Sequence, residues 1–150
     1  MSHAATMLEQ YPATINLDKD LLARCIDACL ECSQCCTACA DACLSEDMVA
    51  ELTRCIRDNL DCADQCATTA NVLSRHTGYD ASLTRAVLEA CAQACKTCGD
   101  SCGEHAEMHG HCATCADSCR TCEEACRALL EAIASAGSSP SSPQESSPQS

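Results

Sequence analysis

The sequence predicts an all-α fold, an up-down-up-down antiparallel four-helix bundle with a short N-terminal helix. Three observations predict it. First, cysteines recur at steps of three and four: Cys25, Cys29, Cys32, Cys35, Cys36, Cys39 and Cys43 in one segment, and Cys112, Cys115, Cys119, Cys122 and Cys126 in another. At about 100° per residue the first set falls within a sector of about 120°, one face of a helix. Second, proline is missing from the interiors of all four long segments, and an interior proline would break them. Third, the breaks between segments are short, which makes consecutive helices antiparallel neighbours.

The elements follow in order. A short helix precedes Pro12, and residues 1–17 form a lead-in. The first bundle helix is N-capped by Asp18 and runs to about Leu44. Aspartate caps well because its carboxylate accepts from the free N–H groups of the first turn. Ser45 is expected to cap the second helix, with Glu46 and Asp47 suited to the positive end of the helix dipole. That helix runs to about Arg75 and ends at Thr77-Gly78. Asp80 caps the third, which is expected to continue to about Met108. Gly110 marks a reversal, and the fourth runs from about His111 to Ser135. The bundle domain thus spans 18–135. Residues 136–150, rich in Ser, Pro and Gln, are expected to be disordered.

Composition narrows the function. Nine basic and 22 acidic residues leave a net charge of −13, which argues against nucleic acid and anionic membrane surfaces as partners. No stretch is apolar enough to span a bilayer. The N-terminal residues Met1 to Gln10 show neither a basic n-region nor an apolar h-region, so the expected compartment is the cytosol. There thiols stay reduced, and a cysteine-dense protein is metal-binding rather than disulfide-stapled. Tyr11 and Tyr79 are the only aromatics of the benzenoid type, so the core lacks the side chains that usually dominate burial energy.

The 19 cysteines occupy the stripe where a bundle normally places Leu and Ile. The third helix carries Cys91, Cys95, Cys98 and Cys102. The second carries Cys55, Cys62 and Cys66, with Asn59 in the remaining stripe position. On one helix, Cβ atoms four residues apart are about 5–6 Å apart, too far for a disulfide, which needs about 3.5–4.5 Å. Such pairs can instead grip a soft ion, and Cu(I) selects thiolate. Replacing each thiol proton with one Cu(I) leaves the charge unchanged, whereas uncompensated buried thiolates would be prohibitively costly. Two other metal chemistries compete. Cys29, Cys32, Cys35 and Cys39 match a ferredoxin spacing, but Ala40 stands where proline follows in that motif. Pairs such as Cys95/Cys98 and Cys119/Cys122 suit a Zn or Cd sink, although zinc sites usually close on four ligands near turns. No carboxylate pair suggests acid–base catalysis, so a binding protein is expected rather than an enzyme.

The antiparallel order sorts the bundle ends. Leu21, Leu22, Val72, Leu73, Leu83, Val87, Leu88, Leu129, Leu130 and Ile133 gather at one end as a dry plug. Cys43, Met48, His105, Met108, His109, His111 and Cys112 gather at the other. His105 and His109 extend the third helix's stripe beyond Cys102, and imidazole and thioether both suit Cu(I). Ile26, Leu30, Ile56 and Leu60 lie off the cysteine face and call for a cover, from the N-terminal segment or a second subunit.

The chain resembles the bacterial copper storage proteins through its cysteine-striped helices, Cys-Ile-Asp-Ala-Cys-Leu-Glu-Cys-Ser-Gln-Cys-Cys at 25–36 and Cys-Ala-Thr-Cys-Ala-Asp-Ser-Cys-Arg-Thr-Cys at 112–122. The resemblance covers about residues 18–135 and is to the cytosolic branch. It implies a homotetramer of four-helix bundles holding many Cu(I) ions, with His or Met at an open mouth, a place His105, Met108, His109 and His111 can fill. The expected function is storage and detoxification of Cu(I), with copper ions and copper donor or acceptor proteins as partners. An iron–sulfur electron carrier and a Zn/Cd thiolate sink are the alternatives.

Overall fold

The computed structural model describes residues 1–137. Five α-helices follow in order: α1 (His3–Glu9), α2 (Lys19–Leu44), α3 (Thr53–Leu73), α4 (Ala81–Glu104) and α5 (Gly110–Gly137). Helices α2 to α5 form the bundle, each packed against its two neighbours around the ring, and α1 lies on α2. Two helices begin with the expected aspartate caps, and Ser2 caps a third. The Ser2 side chain accepts from Ala5 N at 3.2 Å, Asp18 from Leu21 N at 3.0 Å, and Asp80 from Leu83 N at 3.1 Å. The α3–α4 connection turns through Gly78, whose φ of +63° suits a residue without a Cβ. A second glycine serves packing: a Cβ at Gly99 would lie 3.3 Å from Cys119 Cβ, so glycine lets α4 and α5 approach closely.

The mouth departs from expectation in two places. Ser45 does not start a helix. It closes α2, its N–H bonding to the carbonyls of Ala42 and Cys43, and a short 3-10 turn (Val49–Glu51) intervenes before α3. Leu52 stands at the N-cap of α3 with no side-chain oxygen to offer, and its complete burial anchors that helix start. Met48 therefore lies in the connection, partly buried against the core, and not on a helical stripe. Helix α4 ends at Glu104, with His105 as its C-cap, rather than running to Met108. His109 belongs to the start of α5, where its carbonyl accepts from the N–H groups of Cys112 and Ala113. Of residues 136–150, expected to be disordered, Ala136 and Gly137 belong to α5, whose helical hydrogen bonding continues past Ser135, and the rest lies outside the described residues.

The opposite end is closed by hydrocarbon. Leu22, Leu73, Leu88, Leu129 and Ile133 are buried, with Leu21 and Leu130 packed against them. Val72 and Val87 are half-buried, while Leu83 is exposed and contributes nothing to the plug. Buried Leu8 brings α1 over Ile26, which is itself buried. Ile56 packs partly against the core, whereas Leu30 and Leu60 stay exposed. No helix among the described residues is long and apolar enough to cross a membrane.

Candidate metal centre

Between the plug and the mouth the core is made of sulfur. Eighteen of the 19 cysteines are buried and all are free thiols. Their Sγ atoms touch across helices at 3.6–3.9 Å, as in Cys36–Cys119 (3.6 Å), Cys66–Cys95 (3.7 Å) and Cys29–Cys91 (3.9 Å). Within one helix the pairs Cys32–Cys36 and Cys62–Cys66 meet at 3.7 and 3.9 Å. The same thiols thus serve several partners at once.

Groups of four emerge whose ligand atoms lie within 4.8 Å of one another. Among them are Cys29, Cys91, Cys122 and Cys126; Cys32, Cys66, Cys95 and Cys122; Cys32, Cys36, Cys62 and Cys119; and Cys36, Cys98, Cys115 and Cys119. The second of these draws one thiol from each bundle helix. The i,i+4 spacing predicts grips on single helices, and three of these four groups contain such a pair, Cys122/Cys126, Cys32/Cys36 and Cys115/Cys119, joined by thiols of other helices because all four stripes face one axis. Cys122, Cys32, Cys36 and Cys119 each belong to two groups, so the sites form a continuous ladder rather than separate knuckles. Cys25 extends it towards the plug through Cys126, at 3.7 Å.

Cys35 is the exception. It is half-buried, with its thiol on the Gln34 side-chain oxygen at 3.6 Å. It lines a surface groove between α2 and α5 together with Cys39 and Cys115. Turned out of the ladder, it does not converge with Cys29, Cys32 and Cys39 on a ferredoxin-like cluster.

Asn59 is the one amide in the thiol column, fully buried. Its Oδ1 accepts from the thiols of Cys98 and Cys115 at 3.0 Å each and of Cys102 at 3.6 Å, and its Nδ2 donates to Cys55 Sγ at 3.5 Å. The gap in the α3 stripe marked the position. Its role as a hub for four thiols is visible only once the helices are packed.

At the mouth the ligand set turns mixed. Cys39, Cys43, His111 and Cys112 form a further group within 4.8 Å. Nδ1 of His111 is 3.3 Å from Cys39 Sγ and 3.7 Å from Cys112 Sγ, and its Nε2 donates to Glu46 Oε2 at 2.9 Å. Nδ1 of His109 lies 3.1 Å from the same oxygen, and the two imidazoles stack with centroids 5.5 Å apart. His105 caps the C-terminal end of α4 at the rim. Met108 is 58% exposed. In the sequence Glu46 stands out only as a residue suited to a helix dipole. Nothing local in sequence links it to histidines more than sixty positions away.

The thiols are electrostatically unequal. Burial pushes the Cys43 thiol up to about 12, with the nearby Cys55 and Cys112 adding to the rise, and burial likewise raises Cys112. Hydrogen bonding from Cys102, and then from Cys39, pulls Cys55 down to about 3. Cys126 and Cys29 do the same for Cys25, down to about 5. The thiols are therefore unequal along the column, lowered where a neighbouring S–H donates and raised where burial dominates.

Comparison with known proteins gives the same picture. The copper storage protein model matches residues 18–131. The copper storage protein Ccsp from Streptomyces lividans, solved loaded with 10 copper equivalents, is 59% identical, with a TM-score of 0.85 over 86% of this chain and 98% of that one. The Cu(I)-bound copper storage protein BsCsp3 is 37% identical, with a TM-score of 0.63 over 71% of this chain and 94% of that one. A cysteine-rich protein of Bacillus subtilis (strain 168), YhjQ, is 37% identical over 92 residues, 61% of this chain and 80% of its own length. With a sulfur-lined four-helix core and a family match over residues 18–131, this chain belongs to the copper storage protein family.

Proposed function

We propose that this protein binds and stores Cu(I) in bulk, in the cytosol, as a binding protein rather than an enzyme. The observation that carries the reading is the ladder of overlapping four-ligand groups built from buried thiols. Shared sulfurs suit bridging between monovalent ions. Each Cu(I) that displaces one thiol proton leaves the dry core neutral, whereas divalent ions at that density would leave it strongly positive. Iron–sulfur and Zn/Cd chemistry find no comparable support in the relatives, of which Ccsp and BsCsp3 are copper-loaded.

Copper enters through the end carrying His105, His109 and His111, since hydrocarbon closes the other end. The buried cysteines hold the cargo, Met48 and Met108 are at most accessory donors at the rim, and exchange with donor or acceptor proteins takes place there. Exposed Leu30 and Leu60 support assembly of several copies, four by the family resemblance. An anaerobic titration of Cu(I) against a competing chelator tests the storage reading. Saturation should approach one Cu(I) per buried thiol. Saturation after a few ions, or equal uptake of Zn, would sink it.

A further inference from the structure

We propose that Glu46 is a positioning residue for copper entry, holding His111 in the Nε2–H tautomer so that the Nδ1 lone pair is presented to the thiols of Cys39, Cys43 and Cys112. The inference deepens the reading of this end as the entrance and rests on it.

A carboxylate can only accept, so the 2.9 Å contact between Glu46 Oε2 and His111 Nε2 requires the proton on Nε2. In a neutral imidazole the other nitrogen then carries the lone pair. That nitrogen, Nδ1, faces Cys39 Sγ at 3.3 Å and Cys112 Sγ at 3.7 Å. The opposite tautomer would set a lone pair against the carboxylate and an N–H against the thiols, and the ring could not ligate an ion held by those sulfurs. Glu46 therefore selects the tautomer that can take part in a mixed N/S site, the role carboxylates commonly fill behind metal-binding histidines.

The same oxygen also places His109. Its Nδ1 lies 3.1 Å away, and its ring stacks on His111 at an interplanar angle of 14°. This leaves Nε2 of His109 buried without a hydrogen-bond partner. A buried polar atom in that state is costly, and a soft cation passing the ring would satisfy it. Glu46 comes from the α2–α3 connection and the histidines from the start of α5. One carboxylate thus ties together the two segments that frame the mouth.

The test has two readouts. The first is the ¹⁵N NMR spectrum of the copper-free protein, recorded above the ordinary imidazole pKa. His111 should be in the Nε2–H form in the wild type and become a tautomer mixture in Glu46→Ala. Glu46→Gln, whose amide oxygen can still accept the N–H, should keep the wild-type pattern. A wild-type Nδ1–H tautomer, or a pattern untouched by Glu46→Ala, would overturn the proposal. The second is stopped-flow uptake of Cu(I) from a coloured chelate. Glu46→Ala should slow the first phase by about tenfold, the lower range seen when such supporting partners are removed, and Glu46→Gln should restore most of the rate. In a His109→Ala/His111→Ala background Glu46→Ala should have no further effect. Equal slowing in both backgrounds would reduce Glu46 to a negative charge that attracts cations, and the proposal would fall. If the double histidine variant loads at the wild-type rate while the NMR pattern is as expected, the entrance reading fails and the tautomer lock stands.

Discussion

Two residues show how a small angular difference becomes a difference in chemistry. Cys35 lies ten positions after Cys25, which puts it roughly 80° from the centre of the stripe that the other cysteines of α2 form and about 40° beyond its edge. Packing four helices round one axis leaves no room beyond that edge, and Cys35 ends half-buried outside the ladder. A thiol reagent should therefore label the folded, copper-free protein in one fast step, at Cys35, with the other thiols reacting slowly. Cys35→Ser should abolish the fast step and leave copper capacity nearly unchanged. Several thiols reacting equally fast would contradict a closed core. Asn59 fills a stripe position as an amide, and it satisfies four neighbouring thiols without offering a soft ligand. Asn59→Ala should destabilise the copper-free protein by about 1–3 kcal/mol, the cost of buried polar groups losing their partners, as read by chemical denaturation. Asn59→Cys should raise capacity by about one ion, on the same one-proton, one-ion exchange. Unchanged capacity would mean that this level of the column is already saturated.

At the scale of elements, the bundle divides labour along its length. The leucines at the closed end supply hydrocarbon burial that a column of thiols supplies only weakly. Leu88 is fully buried there, and Leu88→Ala should cost about 2–5 kcal/mol of stability in the copper-free protein without changing the uptake rate. Leu83→Ala, at an exposed position, should be nearly neutral and serves as the control. A marked change of uptake rate in Leu88→Ala would mean that the plug is not sealed. The helices themselves were legible because their caps and periodicity are local. Asp18 and Asp80 cap where aspartate at the head of a periodic run predicts. The mouth was less legible. Ser45 has a capping side chain followed by acidic residues, yet the chain needs the stretch to Leu52 to cross from α2 to α3 and bury Leu52. Burial of that one side chain outweighed a local capping signal. The same crossing places Glu46 beside the histidines.

At the scale of the molecule, the copper-free protein is a fold whose interior is designed around its cargo. Buried thiols are small, and each touches several others without a strong bond between them. Ions bound only by the folded core stabilise it by mass action, about 4 kcal/mol for one site at a free concentration a thousand times its dissociation constant. Many linked sites multiply that effect. The loaded protein should melt far above the copper-free one, with the melting temperature climbing through the titration. Calorimetry at stepwise loadings checks this, and coincident transitions would argue that the ions bind outside the core.

Sequence alone determined the helices, their antiparallel order, the sulfur-lined face and the polar character of one bundle end, because each follows from spacing along the chain. Helical phase is a local property, and nearly all the cysteines share it. Only the tertiary structure decided which sulfurs make a site together. Cys32, Cys66, Cys95 and Cys122 converge from four helices, and that meeting depends on helix rotation and axial stagger, which no single segment encodes. It also decided that Cys35 lies outside the ladder, that Met108 is exposed, and that one carboxylate from the α2–α3 connection meets two imidazoles at the start of α5. Those outcomes rest on distances between segments remote in sequence, fixed when the core closes and not before.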